Sequence, residues 1–88
     1  MKEETITVTN KIGLHARPAA LLVKTAAAFA SEVTLAKADK AFNAKSILTV
    51  MAAGVRQGDT VTVRASGDDE AAAVAAVVAL FKSNFGEE

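Results

Sequence analysis

One short segment of the chain holds residue types that could carry a reactive group. The only histidine and the only proline, His15 and Pro18, stand three residues apart with Arg17 between them. Gly13 permits a sharp reversal of the backbone just before them. Proline is tolerated in the first turn of a helix, where its missing N–H is not needed. The pattern therefore predicts that a helix begins at or beside His15.

Such a helix start would favour an anion next to the imidazole. The backbone N–H groups of Ala16 and Arg17 would have no partner within the helix, and the helix dipole would reinforce them. The same dipole disfavours an imidazolium, so His15 would stay mostly neutral near pH 7 and keep one nitrogen lone pair. A neutral ring can act as a nucleophile, and a guanidinium can pair with phosphate through two N–H donors. These residues permit phosphoryl transfer, but a histidine without function at a helix start has the same spacing.

The composition narrows the function classes. A chain of 88 residues fits a single domain, 1–88, and it contains no cysteine, which excludes disulfides and thiol nucleophiles. With one histidine and no cysteine, the chain lacks the ligands that zinc prefers, so neither a metal nor a cofactor is expected. Ten basic residues balance ten acidic ones, whereas a general nucleic-acid binder carries a marked basic excess.

The distribution of apolar and charged residues indicates where the protein works. No apolar run approaches the roughly 18 residues that span a bilayer, and the first residues form no hydrophobic secretory segment. We therefore expect a cytoplasmic protein that does not contact a membrane. Residues 1–45 carry a charge balance of +3 and residues 46–88 one of −3. The basic half contains His15 and could favour an acidic partner, although a solvated scatter of charges explains the same numbers.

Hydrophobic periodicity predicts an alternating order of strands and helices. Period-two alternation indicates strands at 6–9, 33–35, 41–42 and 61–63, with a tight turn near 38–40. Helical spacing indicates about 14 residues within 16–30, a short helix over about 46–53, and a third helix that opens with capping and first-turn residues at 66–70 and ends near Lys82. The order β-α-β-β-α-β-α predicts an α+β fold, a two-layer sandwich with one covered sheet face and one wet face. Six threonines would supply the wet face: Thr5, Thr7, Thr9, Thr34, Thr60 and Thr62.

The segment Gly13–Ala19, which reads GLHARPA, resembles the active-site motif of HPr, the histidine-containing phosphocarrier of the bacterial phosphoenolpyruvate-dependent sugar phosphotransferase system. Chain length, element order and the segment Lys45–Val55 are similar to this family as well, so the resemblance covers the whole chain. It implies an open-faced sandwich with a four-stranded antiparallel sheet and three helices on one side.

The resemblance also implies a mechanism and partners. His15 would accept a phosphoryl group on Nδ1 from Enzyme I, itself charged by phosphoenolpyruvate, and donate it to the IIA component of a sugar permease. Arg17 would clamp the phosphate, with Ala16 beside it. The protein would be a monomeric carrier with no turnover of its own, and it would bind no nucleic acid.

Ser46 has two interpretations. Serine is a favoured N-cap, and Ser46 precedes the short predicted helix. In HPr proteins of some bacteria the matching serine is phosphorylated by an ATP-dependent HPr kinase/phosphorylase, which creates a regulator of carbon metabolism that acts with a carbon-catabolite transcription regulator. Negative charge would suit a helix N-terminus but would oppose docking of a partner on the apolar surface beside it.

The short predicted helix has almost no polar face. We expect Val50 to be buried and Ile47, Leu48 and Met51 to be at least partly exposed, where they would form a partner-binding surface together with Ala20. Packing of all these side chains under the edge of the sheet is the alternative.

Three other functions remain compatible with the sequence. One is a carrier in a regulatory or nitrogen-related phosphotransferase chain that is not coupled to sugar uptake. Another is a small α+β phosphatase in which Arg17 binds phosphate and water attacks. The last is a binding module whose histidine is incidental.

Overall fold

A computed structural model describes residues 1–9 and 16–86. Within them the chain forms four strands and three helices in the predicted order. The strands are β1 (Lys2–Thr7), β2 (Glu32–Lys37), β3 (Lys40–Asn43) and β4 (Thr60–Ser66). The helices are α1 (Ala16–Ala27), α2 (Ile47–Ala52) and α3 (Glu70–Lys82), and a 3₁₀ turn over Asn84–Gly86 follows α3.

The four strands form one antiparallel sheet in the order β1-β4-β2-β3. Strands β2 and β3 are joined by the predicted tight turn, in which Ala38 adopts a positive φ of 55°. The two long pairings, β1 with β4 and β2 with β4, place β4 at the centre. Its residues Val61 and Val63 are fully buried because alternate side chains of a strand point to the same face.

The other face of the sheet is polar, as predicted, and carries five of the six predicted threonines, whereas Thr9 lies beyond the end of β1. Thr5 lies opposite Thr62 in the register, and their hydroxyl oxygens are 2.9 Å apart. Glu3 lies opposite Arg64, and its carboxylate accepts a hydrogen bond from Nε of that arginine at 3.0 Å. No helix of the described residues covers this face, so the fold is the open-faced two-layer sandwich that was expected.

The three helices cover the apolar face. Helix α3 packs across β4, β1 and β2, whereas α1 contacts both α3 and α2, and α2 lies beside β3. The core consists of small and branched side chains from both layers; its members with no exposed surface are Ala19, Leu22, Ala26, Leu35, Ala44, Val50, Val61, Val63, Ala73 and Val77. Small side chains on α1 and α3 let these helices approach the sheet and each other closely.

The predicted bounds of two elements are wrong. Strand β1 spans Lys2–Thr7 rather than 6–9, because its charged first residues still pair with β4, from Lys2 opposite Ala65, and the pairing ends with Thr7 opposite Thr60. An edge strand needs few apolar residues, so hydrophobic alternation misses this part. Helix α1 ends at Ala27 and has 12 residues rather than about 14, because the chain turns after it.

The predicted capping role of the acidic residues before α3 also needs correction. Asp69 occupies the N-cap position, but its side chain makes no capping hydrogen bond. Its carboxylate instead accepts hydrogen bonds from the N–H groups of Ala30 and Ser31, each at 2.9 Å, and from the Ser31 hydroxyl. The Ser31 hydroxyl, followed by the Ala30 amide, lowers the pKa of Asp69 below its ordinary value. Asp69 therefore joins the start of α3 to the turn that ends α1.

Gly67 permits this close approach. Its φ is 152°, and a Cβ at this position would lie 2.6 Å from Oγ of Ser31 and 2.8 Å from its Cα. Ser31 is almost fully buried beneath the turn. A side chain at position 67 would therefore force the two segments apart.

Candidate functional site

The described part of the predicted site is the first turn of α1. Ala16 and Arg17 are exposed there, whereas Pro18 and Ala19 are buried against the rest of the domain. Pro18 stands in the first turn, as predicted. Its missing N–H costs no helical hydrogen bond there, because no carbonyl four residues earlier belongs to the helix. The buried pair holds the helix in place while the exposed pair faces solvent. The prediction for His15 falls on residues 10–15, which lie outside the described residues.

The start of α1 has a net positive character. No acidic residue lies in its first turn, and Lys24 is exposed further along the helix. The first N–H groups of a helix lack internal acceptors, and the dipole adds about half a positive charge at this end. The exposed guanidinium of Arg17 adds a full charge and can present two parallel N–H donors to an oxyanion. These groups would stabilise an anion that lies close to the first turn of α1.

Ser46 is the N-cap of α2, as predicted. Its backbone is extended, with φ −116° and ψ 115°, and its Oγ accepts hydrogen bonds from the N–H of Thr49 at 3.3 Å and from Oγ1 of Thr49 at 3.0 Å. The neighbouring Lys45 donates from Nζ to the main-chain oxygen of Phe29 at 2.7 Å. The start of α2 is thereby joined to the turn that follows α1.

The exposure predicted for α2 is confirmed. Val50 is fully buried, whereas Leu48 is 78% exposed and Ile47 and Met51 are about 40% exposed. Since α1 and α2 are in contact, the structure brings this apolar surface next to the helix that carries Arg17 and the exposed Ala20. We call Ile47, Leu48 and Met51 the α2 patch. Its role in partner binding stays a prediction.

Comparison with known proteins decides the family. A family model described as "PTS HPr component phosphorylation site" matches residues 2–83. The phosphocarrier protein HPr of Xylella fastidiosa (strain Temecula1 / ATCC 700964) is 46% identical over 88 residues, which covers 100% of this chain and 99% of that protein. The chain belongs to the HPr family. Members of this family are phosphocarriers of the phosphotransferase system.

Solved HPr structures have the same fold. A crystal structure of HPr from Thermoanaerobacter tengcongensis superposes with a TM-score of 0.96 at 55% identity, covering 100% of this chain and 99% of that one. A crystal structure of an HPr dimer from the same organism gives a TM-score of 0.79 at 54% identity, covering 99% and 100%. The open-faced sandwich expected from the resemblance to HPr is therefore confirmed.

The sequence did not reveal what holds the other end of α2. Lys37 donates from Nζ to the main-chain oxygen of Gly54 at 2.8 Å and forms an ion pair with Asp59 at 3.0 Å. Asp59 also accepts a hydrogen bond from the N–H of Arg56 at 2.9 Å. The Arg56 amide and then the Lys37 ammonium lower the pKa of Asp59 below its ordinary value. Nothing in the spacing of these residues indicates the contacts, because they depend on the approach of three separate segments.

Two further observations concern the surroundings of the site. No helix within the described residues is long and apolar enough to cross a membrane. Residues 1–9 and 16–86 also contain no group of three or more histidine, cysteine, aspartate or glutamate side chains that could hold a metal ion.

Proposed function

We propose that this HPr-family chain carries a phosphoryl group on Nδ1 of His15, accepts it from Enzyme I and donates it to IIA components of sugar permeases. In the accepting step, the Nδ1 lone pair forms a bond to phosphorus while the bond between phosphorus and the donor breaks. The proton on Nε2 stays on the ring. In the donating step, the nitrogen–phosphorus bond breaks and the acceptor takes the group, so the carrier returns unchanged and has no turnover alone.

Ala16 and Arg17 stabilise the transferred group in this proposal. Their N–H groups begin α1, and the Arg17 guanidinium is the charge beside them. The observation that carries the proposal is this exposed, positively charged helix start directly after His15 in a chain of the HPr family. Exposure suits a carrier, because each partner must reach the phosphorus and a closed pocket would exclude it.

The test is incubation with phosphoenolpyruvate and Enzyme I, followed by intact-mass measurement and then by addition of a IIA protein. We expect one acid-labile phosphoryl group, absent in His15→Ala, which passes to the IIA protein. Arg17→Lys should slow the loading by about tenfold, since it keeps the charge but loses the paired donors. Lys24→Ala, which alters another exposed cation of α1, is the matched control. Phosphate release by the chain alone would contradict the carrier and favour a phosphatase.

We propose that the partners dock on the α2 patch together with Ala20. The support is the exposure of three large apolar side chains on a helix that contacts α1. A surface of this kind loses unfavourable contact with water when a partner covers it.

The chain would act in the cytoplasm as a monomer. Light scattering at working concentration would test whether it is a monomer or a dimer like that in the crystal structure of the Thermoanaerobacter tengcongensis protein.

Regulation by phosphorylation of Ser46 is a second proposal. It is supported by the position of Ser46 as N-cap directly before the exposed α2 patch. An HPr kinase/phosphorylase would transfer the γ-phosphoryl group of ATP to Oγ, and the product would bind a carbon-catabolite transcription regulator. Incubation with ATP and this kinase should label the wild type and leave Ser46→Ala unlabelled. Labelling of Ser46→Ala would show that the kinase phosphorylates a residue other than Ser46.

A sugar-linked carrier and a regulatory or nitrogen-related one use the same histidine chemistry and differ in the protein that accepts the phosphoryl group. Transfer to sugar-permease IIA proteins supports the first. Transfer only to a IIA protein without a permease would support the second.

A further inference from the structure

Helix α2 carries the α2 patch but has no cation of its own at its C-terminal end. Its six residues include no charged side chain. The last carbonyl groups of a helix have no partner within it, and the dipole places partial negative charge there. A helix of fewer than two turns also gains little stability by itself. The position of the last turn of α2 therefore depends on groups from the rest of the domain.

Lys37, the last residue of β2, supplies the cation. Its Nζ donates to the main-chain oxygen of Gly54 at 2.8 Å and lies 3.5 Å from that of Ala53. The N–H of Gly54 in turn donates to the main-chain oxygen of Met51 at 3.4 Å. Gly54 is thus bonded at its carbonyl to Lys37 and at its amide to a member of the α2 patch. A continuous series of contacts joins β2 to the proposed docking surface.

Asp59 holds the ammonium group in this position. Its Oδ2 lies 3.0 Å from Nζ of Lys37 and also accepts a hydrogen bond from the N–H of Arg56 at 2.9 Å. The side chains of the ion pair are 28% and 30% exposed, so most of each is shielded from water. Nζ therefore lies between two acceptors, one at the end of α2 and one in the turn before β4, and has a defined place.

The fold does not depend on these contacts, whereas the direction of the Gly54 peptide does. Ala53 and Val55, on either side of Gly54, are both buried, and so is Val50 within the helix. These apolar contacts keep α2 on the domain. Gly54 itself has a φ of 66°, and glycine can adopt many other backbone conformations. Burial of its neighbours alone therefore leaves this peptide free to turn.

We propose that Lys37 is a positioning residue for partner docking, which holds the last turn of α2 so that the α2 patch is presented in one arrangement. A partner that meets a looser turn must order it first, and its affinity falls with the share of molecules in the correct arrangement. A share of one third raises the apparent dissociation constant about threefold. The effect on docking rests on the proposed function, whereas the effect on the last turn of α2 does not.

The chain offers substitutions that separate this role from folding and from net charge. Lys37→Met removes the ammonium group and keeps a long apolar stem, whereas Lys37→Arg keeps a cation that can reach both acceptors. Asp59→Asn keeps an acceptor for the Arg56 amide but removes the charge that faces Lys37. Lys40→Met is the matched control, because Lys40 lies opposite Lys37 in the register, is exposed, and carries the same charge in the same hairpin.

The first measurement is amide exchange in ¹⁵N-labelled protein, which needs no partner. Lys37→Met should speed exchange at Ala53 and Gly54 by about threefold or more, and Asp59→Asn should do so to a smaller extent. Lys37→Arg and Lys40→Met should match the wild type, and the amides of β4 should stay protected in every variant. Wild-type exchange at Ala53 and Gly54 in both Lys37→Met and Asp59→Asn would overturn the proposal.

The second measurement is steady-state phosphorylation by Enzyme I and phosphoenolpyruvate. Lys37→Met should raise the KM for this chain by about twofold to fivefold with kcat unchanged, since a loss of binding alone appears in KM. Lys37→Arg should restore the wild-type KM. A loss confined to kcat, or an equal rise of KM in Lys40→Met, would contradict the positioning role. A wild type that accepts no phosphoryl group would refute the proposed function, and amide exchange would still decide whether Lys37 holds α2.

Discussion

The hydroxyl of Ser46 is the acceptor that closes the first turn of α2. Its Oγ receives the N–H of Thr49, which would otherwise have no partner within the helix. A phosphoryl group on the same oxygen would keep acceptor oxygens at this position and add negative charge. The structural and proposed regulatory roles of Ser46 can therefore be separated by changing charge while the cap is kept.

Ser46→Asp and Ser46→Asn make this separation, because both residues are good N-caps and only the first is charged. We expect both variants to keep the stability of the wild type within about 0.5 kcal/mol, whereas Ser46→Ala loses about 1 kcal/mol. Ser46→Asp should slow phosphorylation of His15 by Enzyme I about tenfold or more, since docking must desolvate the added charge. Urea unfolding and initial rates measure the two effects. Equal slowing by Asn and Asp would show that charge is not the cause.

At the level of elements, α2 has a buried side and an exposed side that serve different purposes. Val50 fills the core, whereas Leu48 on the exposed side has most of its surface in water. Lysine side chains hold both ends of the helix. Lys45, directly before α2, donates to the main-chain oxygen of Phe29, and Lys37 of β2 donates to the main-chain oxygen of Gly54, just after α2. The α2 patch is thus presented on a helix whose position is fixed independently of any partner.

Leu48→Ser should weaken partner binding but not stability, whereas Val50→Ala should lower stability but not partner binding. Leu48→Ser leaves stability within about 0.5 kcal/mol and raises the KM for Enzyme I by about 5-fold to 30-fold, since an apolar anchor at an interface contributes about 1–2 kcal/mol. Val50→Ala costs about 2 kcal/mol of stability and leaves that KM near the wild-type value while the protein is folded. Thermal unfolding and steady-state kinetics are the measurements. A normal KM in Leu48→Ser would exclude this surface as the docking site.

Comparison of the predicted helices and strands with the observed ones also shows where sequence reasoning succeeds. The alternation in β4 and the spacing of Leu22 and Ala26 predict buried faces correctly, because each pattern depends on local geometry alone. The start of β1 was missed, and so was the direction of the Asp69 side chain. Both depend on partners distant in sequence, namely β4 for the strand and Ser31 for the carboxylate.

The difference between local patterns and contacts distant in sequence applies to the site as well. Arg17, Ser46 and the α2 patch were predicted from short motifs and helical spacing, and the structure places each at a helix start or on an exposed helix face. The hydrogen bond between Thr9 and Asn84 joins the two ends of the chain, and no local signal indicates it. The consecutive positive φ values at Asn84 and Phe85 are equally invisible in the residue types.

For the whole molecule, ionised carboxylates link segments that are far apart in sequence. The pKa values of Asp59, Asp69 and Glu70 all lie below their ordinary values of 3.8, 3.8 and 4.5. The largest cause is a backbone N–H for Asp59 and Glu70 and the Ser31 hydroxyl for Asp69. In each case the folded state favours the charged form.

A carboxyl whose pKa is lower in the folded state stabilises the protein above its ordinary pKa and loses that contribution as the pH falls through the folded value. We therefore expect the free energy of unfolding to be level above about pH 5 and to decrease below pH 4.5, the ordinary value for Glu70. Asp69→Asn should lower stability at pH 7 and flatten the acid decrease, whereas Asp68→Asn, at an exposed neighbour, should change neither. Urea unfolding from pH 2.5 to 7 measures this. A wild-type acid slope in Asp69→Asn would contradict the role given to Asp69.

The most direct test of the carrier is to locate the phosphorus atom. Protein labelled with ¹⁵N in its single histidine is loaded from phosphoenolpyruvate through Enzyme I, and phosphorus–nitrogen coupling is read in the imidazole spectrum. We predict coupling at Nδ1 of His15, a proton retained on Nε2, and loss of the coupling when a IIA protein is added. Coupling at Nε2, or a loaded protein whose imidazole shows no coupling, would contradict transfer through Nδ1 of His15.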